Sequence, residues 1–191
     1  MTGVNFFSGE VLAKRLELLR ELVPGMSRVA VFVNPANAAR AETQVNELQA
    51  AARAMGLQLR VFDTGTSAQI NAAFATLAYE RADALFVSAD PLFTVRRVQL
   101  ATMAARYAIP SSFSVADVVE AGGLMSYGTD ISDAYRQIGV YTGRVLRGTK
   151  PADLPILQST RFELVINVQT ALMLGITVSP NLLARADGVI D

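Results

Sequence analysis

Short apolar runs alternate with amphipathic stretches along almost the whole chain. The run over residues 28–34 (RVAVFVN) is nearly all apolar, as is typical of a strand buried on both faces of a parallel sheet. Before it, Leu12, Leu16 and Leu19 recur with the i, i+4, i+7 spacing of one helix face. The alternation of strand and helix continues towards the C-terminus, and it predicts an α/β fold.

The periodicity sets approximate bounds for each element. Strands are predicted over residues 28–34, 58–63, 84–88, 109–113, 124–127 and 162–167. Helices are predicted over residues 8–23, 39–55, 67–81, 91–107, 132–147 and 168–174, with short ones near Ser114 and after Ser179. Ser67 is the expected N-cap of its helix, and Ser114 and Asp117 have the spacing of a capping box. Pro151 and Pro155 indicate a crossing segment without helical period.

The residue counts exclude several kinds of chemistry. The 191 residues contain no Cys and no His. The chain therefore cannot build a thiolate or imidazole metal site, a Cys nucleophile or a Ser-His-Asp triad. The glycine-rich nucleotide-binding motifs and the nucleophile elbow are absent as well. We expect no metal, no cofactor and no catalytic residue.

Charge and hydropathy bear on whether the chain binds nucleic acid, crosses a membrane or carries a signal peptide. Seventeen basic residues balance 17 acidic ones, and no Lys/Arg block is longer than a pair, so nucleic acid is not an expected partner. Polar residues interrupt every apolar run well short of the ~18 residues that a membrane span needs. Met1 is followed by neither a basic nor a long apolar segment, so we expect no signal peptide in this chain. The lack of Cys fits exported and cytosolic proteins alike.

A site for a small molecule is expected where the parallel strands end, because loops and helix N-termini meet at that edge of an α/β sheet. The residues there combine aromatic rings with hydroxyl and amide groups, which indicates recognition rather than catalysis. The candidates are Asn34, Asp90, Phe93, Phe113, Ser126 and Tyr127.

The same residues have simpler interpretations. Asp90 could accept an α-amino group, but Asp-Pro after a strand is commonly a turn and helix N-cap. Phe93 and Phe113 are more often core rings than ligand contacts. Arg15 belongs to the charged residues of the first helix, which we expect to form a solvated face with i, i+4 pairs.

Several motifs in order match one known family. They lie at residues 3–10 (GVNFFSGE), 14–24, 28–35, 90–93 (DPLF), 120–128 (EAGGLMSYG), 151–155 (PADLP) and 162–167 (FELVIN). With these motifs the chain resembles, over essentially its whole length, the ABC-transporter substrate-binding proteins of the tryptophan-binding-like group. Residues 120–128 are the most specific stretch.

The resemblance implies a type I periplasmic-binding-protein fold, in which two lobes close over a small ligand. Each lobe is a three-layer α-β-α structure with a mostly parallel, flavodoxin- or Rossmann-like sheet. By this resemblance, residues 1–128 form the second lobe, and residues 129–191 return towards a first lobe that is mostly missing from this sequence.

The same resemblance implies a non-enzymatic function. The protein would be the solute-binding component of an ABC importer, located in the periplasm or anchored by lipid outside the cell, and a membrane permease would be its partner. Its ligand would resemble an amino acid, with aromatic and hydrophobic ones best attested. Asp90, Ser126 and Tyr127 match cleft positions best, and Asn34 and Phe113 less well. Many relatives carry Tyr in place of Phe113 and Arg-Glu-Phe at residues 116–118.

Two other functions stay open from the sequence. The chain could be a lobe that binds no ligand and forms a homodimer through its exposed lobe interface. It could also be a small-molecule enzyme that uses Asp90 or Asp63 as a base, although no second catalytic group is placed near either carboxylate.

Overall fold

The structure is a computed structural model that describes residues 3–5, 9–158 and 161–191. Its strands are β1 (Gly3–Asn5), β2 (Arg28–Val33), β3 (Gln58–Asp63), β4 (Ala84–Val87), β5 (Ser111–Phe113), β6 (Met125–Thr129), β7 (Ile156–Gln158), β8 (Phe162–Asn167) and β9 (Gly188–Ile190). Its α-helices are α1 (Gly9–Leu22), α2 (Ala38–Met55), α3 (Ser67–Glu80), α4 (Pro91–Val95), α5 (Arg97–Arg106), α6 (Ala116–Glu120), α7 (Ile131–Leu146), α8 (Val168–Met173) and α9 (Pro180–Ala184).

Seven of the strands form one mostly parallel sheet in the order β3-β2-β4-β5-β6-β8-β9. Strands β2 to β6 are parallel to one another, β8 is antiparallel to β6, and β9 is parallel to β8. Strand β1 pairs with β7 in a separate two-stranded sheet. The predicted α/β fold with a mostly parallel sheet is confirmed.

Helices pack on both faces of the large sheet because its central strands are apolar on both sides. In β2, Val29, Val31 and Val33 belong to a core with α1 and α2. Ala30 and Phe32 belong to a second core with α3 and α5. The Phe32 ring meets the Phe74 ring of α3 edge-on, with centroids 5.2 Å apart. These two cores confirm the predicted three-layer arrangement.

Element ends differ from the prediction where local hydrogen bonds decide them. Thr66, not Ser67, is the N-cap of α3, and its side chain accepts a hydrogen bond from the backbone N–H of Gln69. The helix predicted over residues 91–107 is interrupted at Arg96, which separates α4 from α5. The N-cap of α6 is Val115, with no side-chain cap, so the capping box expected at Ser114 does not form.

Three short strands were missed by the periodicity. Strands β1, β7 and β9 each contain three residues. Such a length shows too little alternation to be separated from a loop. The start of the first predicted helix, Ser8, lies outside the described residues. The predicted division of the chain at residue 128 stays a prediction. The strand order shows that β8 and β9, both after that residue, pair within the large sheet.

The expectation that Arg15 is solvated is wrong. Its side chain is only 1% exposed, whereas Lys14 and Glu17 form an exposed ion pair on the same helix. The physical reason is the helix period: Arg15 is three residues after Leu12 and four before Leu19, so it shares the face that packs on the sheet.

Candidate functional site

Asn34 and Asp90 come together at the carboxyl edge of the large sheet. Asn34 follows β2, and Asp90 lies in the loop after β4, the neighbouring strand. The Asn34 side-chain amide donates a 2.9 Å hydrogen bond to one Asp90 oxygen. That oxygen also accepts from the backbone N–H of Leu92, which makes Asp90 the N-cap of α4. The simpler interpretation of Asp90, a helix cap, is therefore part of its role.

Asn37 completes this cluster. It lies in a short 3-10 turn over Pro35–Asn37, and its side-chain amide donates a 2.6 Å hydrogen bond to the other Asp90 oxygen. Burial alone would raise the pKa of Asp90, but the hydrogen bonds from Asn34, Asn37 and Leu92, with the charge of Arg40, lower it below its ordinary value. Asp90 is thus held as a carboxylate whose charge is already stabilised.

The backbone of the same loop is held by Gln44 of α2. The Gln44 side chain is buried, accepts a 2.8 Å hydrogen bond from the backbone N–H of Ala89, and donates one of 3.2 Å to its carbonyl. Asn34, Asn37 and Gln44 therefore fix the Ala89-Asp90 segment with four side-chain hydrogen bonds. We call these residues, with Asp90, the loop clamp.

We expect Gln44→Ala to lower the free energy of unfolding by about 2 kcal/mol, because both polar backbone groups of the partly buried Ala89 lose their partner. Gln49→Ala is the matched control: Gln49 is exposed on the same helix, so its change should stay within about 0.5 kcal/mol. Urea unfolding of both variants measures the difference. Equal losses would show that Gln44 does not hold the loop.

Phe93, Phe113 and Ser126 are buried rather than open to the edge. Phe93 is 3% and Phe113 1% exposed, and both belong to the core with α3 and α5. Ser126 pairs with Phe113 in register, and its hydroxyl has no hydrogen-bond partner among the described residues. Packing alone accounts for both rings, and their predicted contact with a ligand stays a prediction.

Tyr127 lies on the opposite face of β6 from Ser126, as alternate strand residues must. It is half-buried, and its ring centroid is 6.1 Å from that of Phe162 on β8. Sequence reasoning missed Phe162 as a neighbour of Tyr127, because it lies 35 residues away and the pairing of β6 with β8 could not be predicted. The two rings form an aromatic surface at this edge.

The arrangement can recognise a molecule but has little capacity for catalysis. A carboxylate with a lowered pKa is a weak base, and Asp90 already accepts three hydrogen bonds. Among the described residues, no group of three Asp or Glu side chains could hold a metal ion. Within the same ranges, no helix has both the length and the hydropathy that crossing a bilayer requires.

A family model described as ABC transporter substrate binding protein matches residues 1–190. A search of curated proteins finds no relative of this chain.

Solved structures of similar fold include a conserved domain protein from Vibrio cholerae, with a TM-score of 0.86 and 26% identity. A second is an ABC domain in complex with L-Trp from Streptococcus pneumonia, with a TM-score of 0.84 and 27% identity. The matches cover 98% and 94% of this chain, but only 62% and 60% of those chains. An open, ligand-free substrate-binding protein from Clostridium difficile, 22% identical over 99% of this chain and 62% of its own, shares the fold with a TM-score of 0.71.

Proposed function

Because this chain belongs to the family of ABC transporter substrate-binding proteins, we propose that it is the solute-binding part of an ABC-type importer, without catalytic activity. Its ligand in this proposal is a small amino-acid-like molecule with an aromatic or other hydrophobic side chain. The relative solved with L-Trp makes that amino acid the first one to test. The proposed partner is a membrane permease, and the proposed location is the periplasm or the outer face of the cell membrane.

The observation that carries this proposal is the loop clamp at the carboxyl edge. Binding proteins gain affinity from groups that are fixed before the ligand arrives, because less freedom is lost on binding. The side chains of Asn34, Asn37 and Gln44 fix the Ala89-Asp90 segment through hydrogen bonds within the chain itself. An enzyme that used Asp90 as its base would need a free carboxylate, whereas Asp90 already accepts three hydrogen bonds.

In this proposal the candidate residues have different roles. Asp90 positions the loop and offers at most one remaining acceptor position for an ammonium group, since a carboxylate accepts about four hydrogen bonds. Tyr127, with Phe162 beside it, would contact an aromatic side chain. Asn34 belongs to the loop clamp. Ser126, Phe113 and Phe93 would support the carboxyl edge from the other face of the sheet.

The two-stranded sheet suggests where a second lobe would attach. Helix α7 packs against β1, and β1 pairs with β7, so these elements form a small unit apart from the large sheet. The chain spans about three-fifths of the length of its solved relatives. We infer that this unit belongs to the other lobe, and that ligand binding favours the closed arrangement of the two.

The absence of Trp from the sequence allows a direct binding test. The fluorescence anisotropy of L-tryptophan, excited at a wavelength that Tyr does not absorb, should rise as the protein is added. Tyr127→Ala should lower the affinity about 10-fold, since aromatic contact contributes about 1.5 kcal/mol. Tyr135→Ala is the control, because Tyr135 is 70% exposed on α7.

Two results would contradict the proposal. The anisotropy could stay flat with L-tryptophan while competition and calorimetry with the other amino acids also detect no binding. Alternatively, Tyr127→Ala and Tyr135→Ala could weaken binding equally, which would place the ligand away from the carboxyl edge.

A second candidate function, a self-associating lobe, is supported by the exposed apolar residues of α7. Ile138 is 40% and Leu146 82% exposed, and Tyr135 lies on the same helix. If this surface forms a homodimer, sedimentation velocity should detect a dimer that Leu146→Lys dissociates. Tyr79→Lys, a change at an equally exposed residue of α3, should leave the dimer intact. A monomeric wild-type protein would exclude this function.

A further inference from the structure

Arg15 is a buried cation in direct contact with the end of a central strand. Its guanidinium carbon lies 3.9 Å from the centre of the Phe86 ring. Its Nη2 donates a 2.7 Å hydrogen bond to the carbonyl oxygen of Val87, the last residue of β4. The group therefore sits where β4 enters the Ala89-Asp90 segment, at the edge of the loop clamp.

The charge of Arg15 has no counter-ion among the described side chains. None of their ion pairs includes it. Its Nε–H is buried without a hydrogen-bond partner in the described part of the chain. Burial also lowers the pKa of Arg15 to about 9. Buried charges in proteins are normally paired, so an unpaired one calls for an explanation such as an absent ion or ligand.

A second unpaired group lies on the same side of the sheet. Ser112 of β5 pairs with Phe86 in register, so its side chain points to the face that Arg15 covers. The Ser112 hydroxyl is buried and, like the Arg15 Nε–H, has no partner among the described residues. The Arg15 Nε–H and the Ser112 hydroxyl thus lie on the face of the sheet that carries Phe86, and neither has a hydrogen-bond partner among the described residues.

We propose that Arg15 and Ser112 bind a carboxylate group of the ligand. The ligand would then be a molecule that carries a carboxylate. This inference rests on the proposed function. A guanidinium presents planar donors that fit a carboxylate, and the ion supplies the missing counter-charge. Because Arg15 is only 1% exposed, side chains at the carboxyl edge must move for a ligand to reach it.

The test compares L-tryptophan with tryptamine, which lacks the carboxylate. Wild-type protein should bind L-tryptophan more tightly. Arg15→Met should weaken L-tryptophan binding roughly 30-fold, the loss expected when one partner of a buried ion pair is removed. The affinity of the variant for tryptamine should stay within about 2-fold of the wild-type value, because tryptamine has no carboxylate to contact Arg15. Arg20→Met is the control, since Arg20 is exposed on the same helix.

Thermal unfolding of the unliganded variants gives an independent readout. Arg15→Met removes an unpaired buried charge but also the hydrogen bond to the Val87 carbonyl, so the unfolding temperature should change by only a few degrees. If the affinity for L-tryptophan is unchanged in this variant, Arg15 is a structural cation and the proposal is overturned. An equal fall in the affinities for L-tryptophan and tryptamine also overturns the proposal. If Arg15→Met does not fold, Ser112→Ala decides, with weaker binding of L-tryptophan alone as the supporting result.

A different outcome separates this inference from the proposed function. If the wild-type protein binds neither amino acids nor tryptamine, the amino-acid proposal fails. Sodium formate, the smallest carboxylate, then tests Arg15 directly. An unfolding temperature that rises with formate in the wild type but not in Arg15→Met supports the carboxylate site. An equal response of both proteins overturns it.

Discussion

Gly128→Ala is expected to lower the free energy of unfolding by about 3 kcal/mol or more, at the upper end of overpacking effects. A Cβ atom at Gly128 would lie far inside van der Waals contact of the Ser114 carbonyl oxygen and 3.0 Å from its carbonyl carbon. Both atoms are backbone, so no side chain can turn away to relieve the clash. The segment after β5 would have to move away from β6.

A second glycine serves as the control for Gly128. Gly139 lies within α7, and nothing surrounds the position its Cβ would take. Gly139→Ala should therefore stabilise the protein by about 0.5 to 1 kcal/mol, the usual gain in a helix interior. Chemical unfolding of the two variants measures both changes. Similar midpoints would mean that the segment after β5 moves freely and that the close contact is not a constraint.

Asp90→Ala should lower the free energy of unfolding by about 3 kcal/mol, since it leaves two side-chain amides and one backbone N–H without an acceptor. Asn34 and Asn37 lose their shared partner, and α4 loses its cap. Asp63→Ala provides the comparison, because Asp63 also ends a strand at this edge but is exposed. The free energy of unfolding of Asp63→Ala should stay close to that of the wild type.

The effect of Asp90 should depend on pH in one direction. The pKa of Asp90 is lowered in the folded protein, so its contribution is complete above the unfolded value of about 3.9 and disappears as the pH falls through the folded value. The stability difference between wild type and Asp90→Ala should therefore be largest near neutral pH and shrink below about pH 4. A difference that is constant down to pH 3 would show that the hydrogen bonds do not require the charge.

The order of strands and helices could be predicted because the repeating pattern is long and strong. Apolar runs such as residues 28–34 have few other interpretations, and helix periodicity extends over several turns. Element ends were less predictable, since Thr66 and Ser67 are both good caps and only the folded backbone decides between them.

The candidate site was partly predictable. The carboxyl-edge rule indicated Asn34 and Asp90, because Asn34 directly follows β2 and Asp90 lies in the loop after β4. It could not find Asn37 or Gln44, whose partners lie 53 and 45 residues away in sequence. Arg15 had a usable signal: the spacing from Leu12 places it on the packed face, but its charge suggested solvent instead.

The Gln44 side chain bonds only the backbone N–H and carbonyl of Ala89. The side chain at position 89 therefore has no part in these hydrogen bonds. Ala89 is only partly buried, so larger residues could be accommodated there without disturbing the hydrogen bonds. Substitutions at position 89 can therefore change the surface of the carboxyl edge while the loop keeps its shape. Because Gln44 bonds only main-chain atoms of residue 89, selection can change the side chain at that position without loosening the loop.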